Sequence, residues 1–193
     1  MLADKGHKVT LVSPPAQQPK LFNKVKSLLK GKGWLKPKST NSHIDGLGLN
    51  HQVLETYRNR YAHYLPTDWW TIHAYVLREE ENSWGAGIPI GFPQKYGQLY
   101  EVPQHIDLNI FRENVTSFRI WMKANGYQKK PLAVTEYGVL LPEEFGFRSE
   151  IIAGYLQESS KFLYDHVDPQ NGLPGDNFHL VQKFAWFSLA DKV

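Results

Sequence analysis

Cysteine is absent from the 193 residues, which excludes disulfides and thiolate metal sites and leaves the compartment open. No apolar run approaches the roughly 18 residues of a membrane-spanning helix, so no membrane span is expected. The opening segment, Met1-Leu-Ala-Asp-Lys-Gly-His-Lys8, lacks the apolar core of a secretory signal, and the chain as it stands reads as cytoplasmic. Acids are scarce at the start. Residues 1–60 hold three of them (Asp4, Asp45, Glu55) against eleven Lys and Arg, a balance of +8, whereas the rest of the chain carries −5. Such asymmetry points to two segments of different origin. The basic stretch Lys20 to Lys38 carries few aromatics and no nucleic-acid motif, so it reads as solvated chain and no nucleic-acid partner is expected.

Aromatics are plentiful. Six Trp, ten Tyr and ten Phe in a chain that is 41% hydrophobic describe a globular protein, long enough to bury a core. A strand is expected at His7 to Ser13, and irregular basic chain over 16–47. Apolar spacing at Leu49, Val53, Leu54, Tyr57 and Tyr61 predicts a helix, and Trp69 to Tyr75 a strand. Residues 78–106 form a long Gly- and Pro-rich connection carrying Glu79, Glu80, Glu81, Trp84 and Tyr96. Asp107 is placed to cap a helix with the buried stripe Phe111, Val115, Phe118 and Met122, and Asn125-Gly126 to stop it. Ser149 is expected to cap another, with Ile152, Tyr155, Leu156, Phe162 and Leu163 inward. Val181 to Leu189 reads as a last strand. From residue 49 the alternation of helix and strand predicts an α/β fold with parallel strands.

Between them lies Pro131-Leu-Ala-Val-Thr-Glu-Tyr-Gly138, an apolar strand that ends on the carboxylate of Glu136. Burying a carboxylate is costly unless something pairs or uses it, and parallel α/β folds place chemistry at the carboxyl ends of their strands. If the strands are neighbours, one face gathers His73, Tyr75, Glu136, Tyr137, Trp186 and Ser188. A carboxylate, groups to orient it and aromatic platforms suit a sugar-binding pocket, because aromatic faces stack on pyranose rings and a carboxylate can attack an oxocarbenium-like centre.

Residues 49–193 resemble the C-terminal part of a (β/α)8-barrel glycoside hydrolase of the large retaining clan, among them a bacterial hydrolase-like group. Trp70-Thr-Ile-His-Ala-Tyr75 is similar to that clan's sixth strand, Leu132-Ala-Val-Thr-Glu-Tyr-Gly138 to its seventh and Phe184-Ala-Trp-Phe-Ser188 to its eighth. The resemblance implies an incomplete TIM barrel acting on an oligo- or polysaccharide, with no cofactor and no metal. It implies Glu136 as catalytic nucleophile, Tyr75 holding and tuning it, and His73 contacting a hydroxyl or the nucleophile's surroundings. Trp186, Trp84 and Tyr137 would bind substrate, Trp186 as the floor under the cleaved sugar and Trp84 lining an outer subsite.

The clan's acid/base Glu follows an Asn at the end of the fourth strand, and no Asn-Glu pair occurs in this sequence. The chain alone is therefore expected to be inactive, with either a sugar-binding remnant or a hydrolase fragment as outcome. Glu79, Glu80 and Glu81 are the acids positioned by sequence to substitute. Leu2-Ala-Asp-Lys-Gly-His-Lys-Val-Thr-Leu-Val-Ser-Pro14 resembles instead a helix end and strand of a two-domain, nucleotide-sugar-dependent glycosyltransferase, so residues 1–48 are expected to form a separate N-terminal segment, a short α/β remnant. A partial barrel leaves strand edges open, and self-association through them is expected.

Overall fold

The computed structural model describes residues 9–11, 46–88 and 92–188. The basic stretch Lys20 to Lys38, the ends of the expected strand at 7–13 and the far end of the last expected strand lie outside the described residues. By contact the chain forms two compact units. One holds Pro66–Val76 and the chain from Tyr100 onward together with the N-terminal strand; the other holds the segment up to Leu65 and Leu77–Leu99. The N-terminal strand belongs to the sheet of the first unit.

That sheet has four parallel strands, β1 (Val9–Leu11), β2 (Trp69–His73), β3 (Leu132–Tyr137) and β4 (Lys183–Trp186), lying side by side in chain order without a reversal. The helices are α1 (Gly46–Tyr61), in the second unit, and α2 (Leu108–Ala124) and α3 (Ser149–Asp165), in the first. The α/β class with parallel strands is thus as expected.

Short-range signals set the ends of α2. Asp107 Oδ1 accepts the backbone N–H groups of Asn109 and Ile110 at 2.8 and 3.2 Å, satisfying two of the donors a helix start leaves open. At the other end Gly126 takes φ of +85°, and Tyr127 N–H returns to the Met122 carbonyl at 2.7 Å. The stripe Phe111, Val115, Phe118 and Met122 is buried throughout, each side chain contributing about 1.5–3 kcal/mol on the usual area scale. The start of α3 differs from expectation. Arg148 is its N-cap, and its carbonyl takes the N–H groups of Ile151 and Ile152, so Ser149 is already helical. Tyr155, Phe162 and Leu163 are buried, while Ile152 and Leu156 are half-buried. Of the expected stripe in α1, Leu54 is buried, Val53 and Tyr57 are half-buried, and Tyr61 is exposed with its ring 4.6 Å from that of Tyr57; Asn50 is buried as well.

The two faces of the sheet follow from register. Trp70 meets Phe118 and Trp121 of α2, so Trp70 and its partner Leu132 face the helices, as do Ile72, Val134 and Phe184, which align with them. Thr71, His73, Ala133 and Lys183 take the opposite face, where Lys183 Nζ lies 5.5 Å from the centre of the Trp69 ring. Ile72 aligns with Val134 but His73 aligns with Glu136, so β3 holds one extra residue, Thr135, against β2. The Thr135 hydroxyl donates to the Ile72 carbonyl at 3.3 Å. Without this offset strict alternation would send Glu136 to the helix face with Leu132 and Val134; with it, Glu136 shares the face of His73.

Candidate functional site

β2 and the residues just beyond it deliver His73 and Tyr75, and β3 delivers Glu136. Pairing continues past the end of β2, where Ala74 N–H donates to the Glu136 carbonyl at 2.8 Å. This fixes the two backbones together at the level of the carboxylate. Two side chains converge on one oxygen: His73 Nδ1 lies 3.4 Å from Glu136 Oε2, and the Tyr75 hydroxyl donates to the same atom at 3.4 Å. A carboxylate only accepts, so a neutral His73 must carry its proton on Nδ1 to engage it. Among the described residues no hydrogen bond engages Oε1. The His73 and Glu136 side chains are 24% and 38% exposed, so the carboxylate is reachable while its supports are mostly covered.

The electrostatics keep these supports neutral. Burial pushes the His73 imidazole below its ordinary value, opposed by the Glu136 charge. Burial also raises the Tyr75 phenol far above its ordinary value, and the charge and hydrogen bond of Glu136 raise it further. Near neutral pH Glu136 is therefore flanked by a neutral imidazole and a protonated phenol.

Tyr137 is corrected by the structure. It is 0% exposed, its hydroxyl shares a hydrogen bond of 2.8 Å with Ser160 of α3, and its ring packs at 5.6 Å from Phe111. The residue after Glu136 turns to the helix layer and does not meet a substrate. Trp186 aligns with Tyr137 and not with Glu136. Its indole stands perpendicular to Tyr137 at 5.2 Å and lies 6.2 Å from Tyr155, so it packs against this aromatic layer while remaining half-exposed. Among the described residues Ser188 Oγ is buried without a hydrogen-bond partner.

Trp84 and the three acids lie in the second unit. The 77–99 segment is folded on itself: Glu79 N–H donates to the Gln98 carbonyl at 2.7 Å and Gly97 N–H to the Glu79 carbonyl at 2.7 Å. Trp84 is half-buried in it. The Glu79 carboxylate accepts the Gln98 N–H at 2.9 Å, and Glu80 pairs with Arg78 at 2.6 Å, which holds its carboxyl below the usual range. Both carboxylates serve the turn that carries them.

His105, with no motif around it, escaped the sequence reading. It is wholly buried; Nδ1 donates to the Val76 carbonyl at 2.7 Å and Nε2 accepts the Leu140 N–H at 2.9 Å. It thereby ties the chain leaving β2 to the chain leaving β3, the two segments that carry Tyr75 and Glu136. A shallow groove lined by Arg112, Glu158, Lys161 and Phe162 between α2 and α3 includes none of the site residues. Among the described residues no helix is long and apolar enough to cross a membrane, and no three His, Asp or Glu side chains are grouped to hold a metal. No protein-family model matches the chain, and no curated protein matches it.

Proposed function

We propose that this chain is part of a retaining glycoside hydrolase of the (β/α)8-barrel kind, acting on a β-linked glycan, with Glu136 as its nucleophile. The observation that carries this reading is the convergence of His73 Nδ1 and the Tyr75 hydroxyl on Glu136 Oε2, at the carboxyl ends of adjacent parallel strands. Strands laid down in chain order without reversal fit consecutive units of a barrel. In this reading Oε2 is held by its two donors while Oε1 attacks the anomeric carbon. The glycosidic oxygen departs with the bonding pair, and water later cleaves the glycosyl ester. The departing oxygen needs a proton from a second carboxyl about 5–5.5 Å from the first. No Asn-Glu pair supplies it in this sequence, so the reading assigns this chain the nucleophile's half of the reaction.

A panel of 2-deoxy-2-fluoroglycosyl fluorides tests the assignment, since fluoride leaves without protonation. The expected result is a covalent mass increment on the peptide containing Glu136, lost in Glu136→Gln. Saturable sugar binding without labelling would reduce the chain to a carbohydrate-binding remnant. Neither labelling nor binding across the panel overturns the proposal.

A further inference from the structure

His105 joins the two chains that leave the strand ends, and what it holds between them is Tyr75. β2 ends at His73 and β3 at Tyr137, and Ala74 N–H adds one more backbone bond to the Glu136 carbonyl at 2.8 Å. Further out the imidazole serves as a rung. Its Nδ1 donates to the Val76 carbonyl at 2.7 Å, and its Nε2 accepts the Leu140 N–H at 2.9 Å. Tyr75 therefore has a tied residue on either side, Ala74 bound to Glu136 and Val76 bound to His105. Both of these neighbours are buried, while Tyr75 is half-buried and its hydroxyl reaches Glu136 Oε2 at 3.4 Å. The rung is itself fixed. His105 belongs to the short 3-10 turn Val102–Ile106, where Glu101 N–H donates to Gln104 Oε1 at 2.8 Å, and Asp107 directly after it caps α2. Its ring is wholly buried and meets Phe147 edge-on at 5.7 Å. A buried imidazole bonded at both nitrogens is held to one tautomer and one orientation.

We infer that His105 is a positioning residue for the Glu136 site: acting through the backbone of Val76 and Leu140, it holds the Tyr75 phenol against Glu136 Oε2. The distance shows why such a residue matters. An O–H···O contact of 3.4 Å is at the outer limit of a hydrogen bond, so a small displacement of Tyr75 decides whether the carboxylate keeps this donor. Nothing in the side chain of Tyr75 alone fixes it there, since the ring is only partly covered. The importance of the contact rests on the hydrolase reading of Glu136, but the geometry is measured without a sugar.

Carbon NMR of the full chain, with tyrosine labelled at Cζ and the Tyr75 resonance assigned by its loss in Tyr75→Phe, reads that contact. The shift of this resonance on Glu136→Gln reports how closely the carboxylate stands to the phenol. In His105→Phe, which fills the same space and removes both bonds, that shift is expected to fall to roughly half the parental value or less. His105→Gln, whose carboxamide offers one donor and one acceptor, is expected to recover part of it. Leu163→Ala, a truncation of a buried side chain in α3, is expected to leave it parental, which separates positioning from a general loss of stability. If circular dichroism shows that His105→Phe does not fold, Leu140→Pro takes its place, because it removes the bonded N–H from the other end of the rung. A parental shift in the variant that breaks the rung, an equal loss in Leu163→Ala, or no shift in the parent background overturns the inference. Failure of Glu136 to take the fluoroglycoside label overturns the hydrolase reading and leaves this comparison standing.

Discussion

The imidazole Nε2 of His105 accepts the backbone N–H of Leu140 at 2.9 Å, an interaction available only to the neutral ring. Burial lowers the affinity of His105 for a proton, opposed by the Val76 carbonyl. The folded protein therefore takes up this proton at lower pH than the unfolded chain, whose histidine titrates near 6.5. Stability from this source is full above about pH 6.5 and is lost as pH falls below it. His73, lowered by burial as well, adds in the same direction. Thermal midpoints followed from mildly acidic to mildly basic pH should fall on the acid side. His105→Ala should lower stability by about 2–4 kcal/mol in mildly basic buffer and flatten part of that acid slope. An unchanged slope in the variant removes His105 from the account.

Tyr75→Phe separates holding from reacting. It removes one donor from Glu136 Oε2 and leaves the ring in place. If Glu136 is a nucleophile, its labelling by an activated fluoroglycoside should slow by roughly tenfold, in line with a hydrogen bond of about 1–1.5 kcal/mol. Stability should change little, because Tyr75 is only partly buried. A variant that labels at the parental rate leaves the phenol without a role in the chemistry.

Two glycines predict opposite signs. A Cβ on Gly138, which follows the Glu136–Tyr137 pair, would overlap the Phe187 carbonyl oxygen, so Gly138→Ala should destabilise by about 1–3 kcal/mol and disturb the end of β4. Gly154, inside α3, has nothing within 4 Å of the place a methyl group would take, and its replacement by Ala should gain about 0.5–1 kcal/mol. Chemical denaturation of the pair decides both.

Asp107→Ala should cost about 1 kcal/mol by leaving the N–H groups of Asn109 and Ile110 without their carboxylate acceptor. Asp107→Asn, which keeps an acceptor oxygen at the cap, should restore most of the loss. Urea midpoints measured on the three proteins give the comparison.

What was legible in the sequence was local. Asp107 and Gly126 act on neighbours within one helical turn, so their roles show in the spacing of α2. The strand ending on Glu136 was readable for the same reason, and so was the order of elements from residue 49. The direction of side chains was not readable, because it depends on chain far away. Tyr137 was expected beside a substrate and is buried against Phe111 and Ser160, since the offset at Thr135 is set by pairing with β2. Arg119, in α2, carries no signal of its own in the sequence. It is fully buried because its guanidinium donates to the Lys130 and Gln128 carbonyls at 2.8 and 3.3 Å, in the turn that feeds β3. Burial lowers its pKa to about 10, against the charge of Asp176.

The surplus residue in β3 has a genetic reading. A strand that alternates strictly has no slack, and a lost codon within it exchanges the two faces for everything downstream. Here the slack is located at Thr135. Loss of that single codon would restore an even ladder between Val134 and Glu136 and leave the carboxylate opposite His73, making Thr135 the one place in the strand where a deletion is spared the parity change.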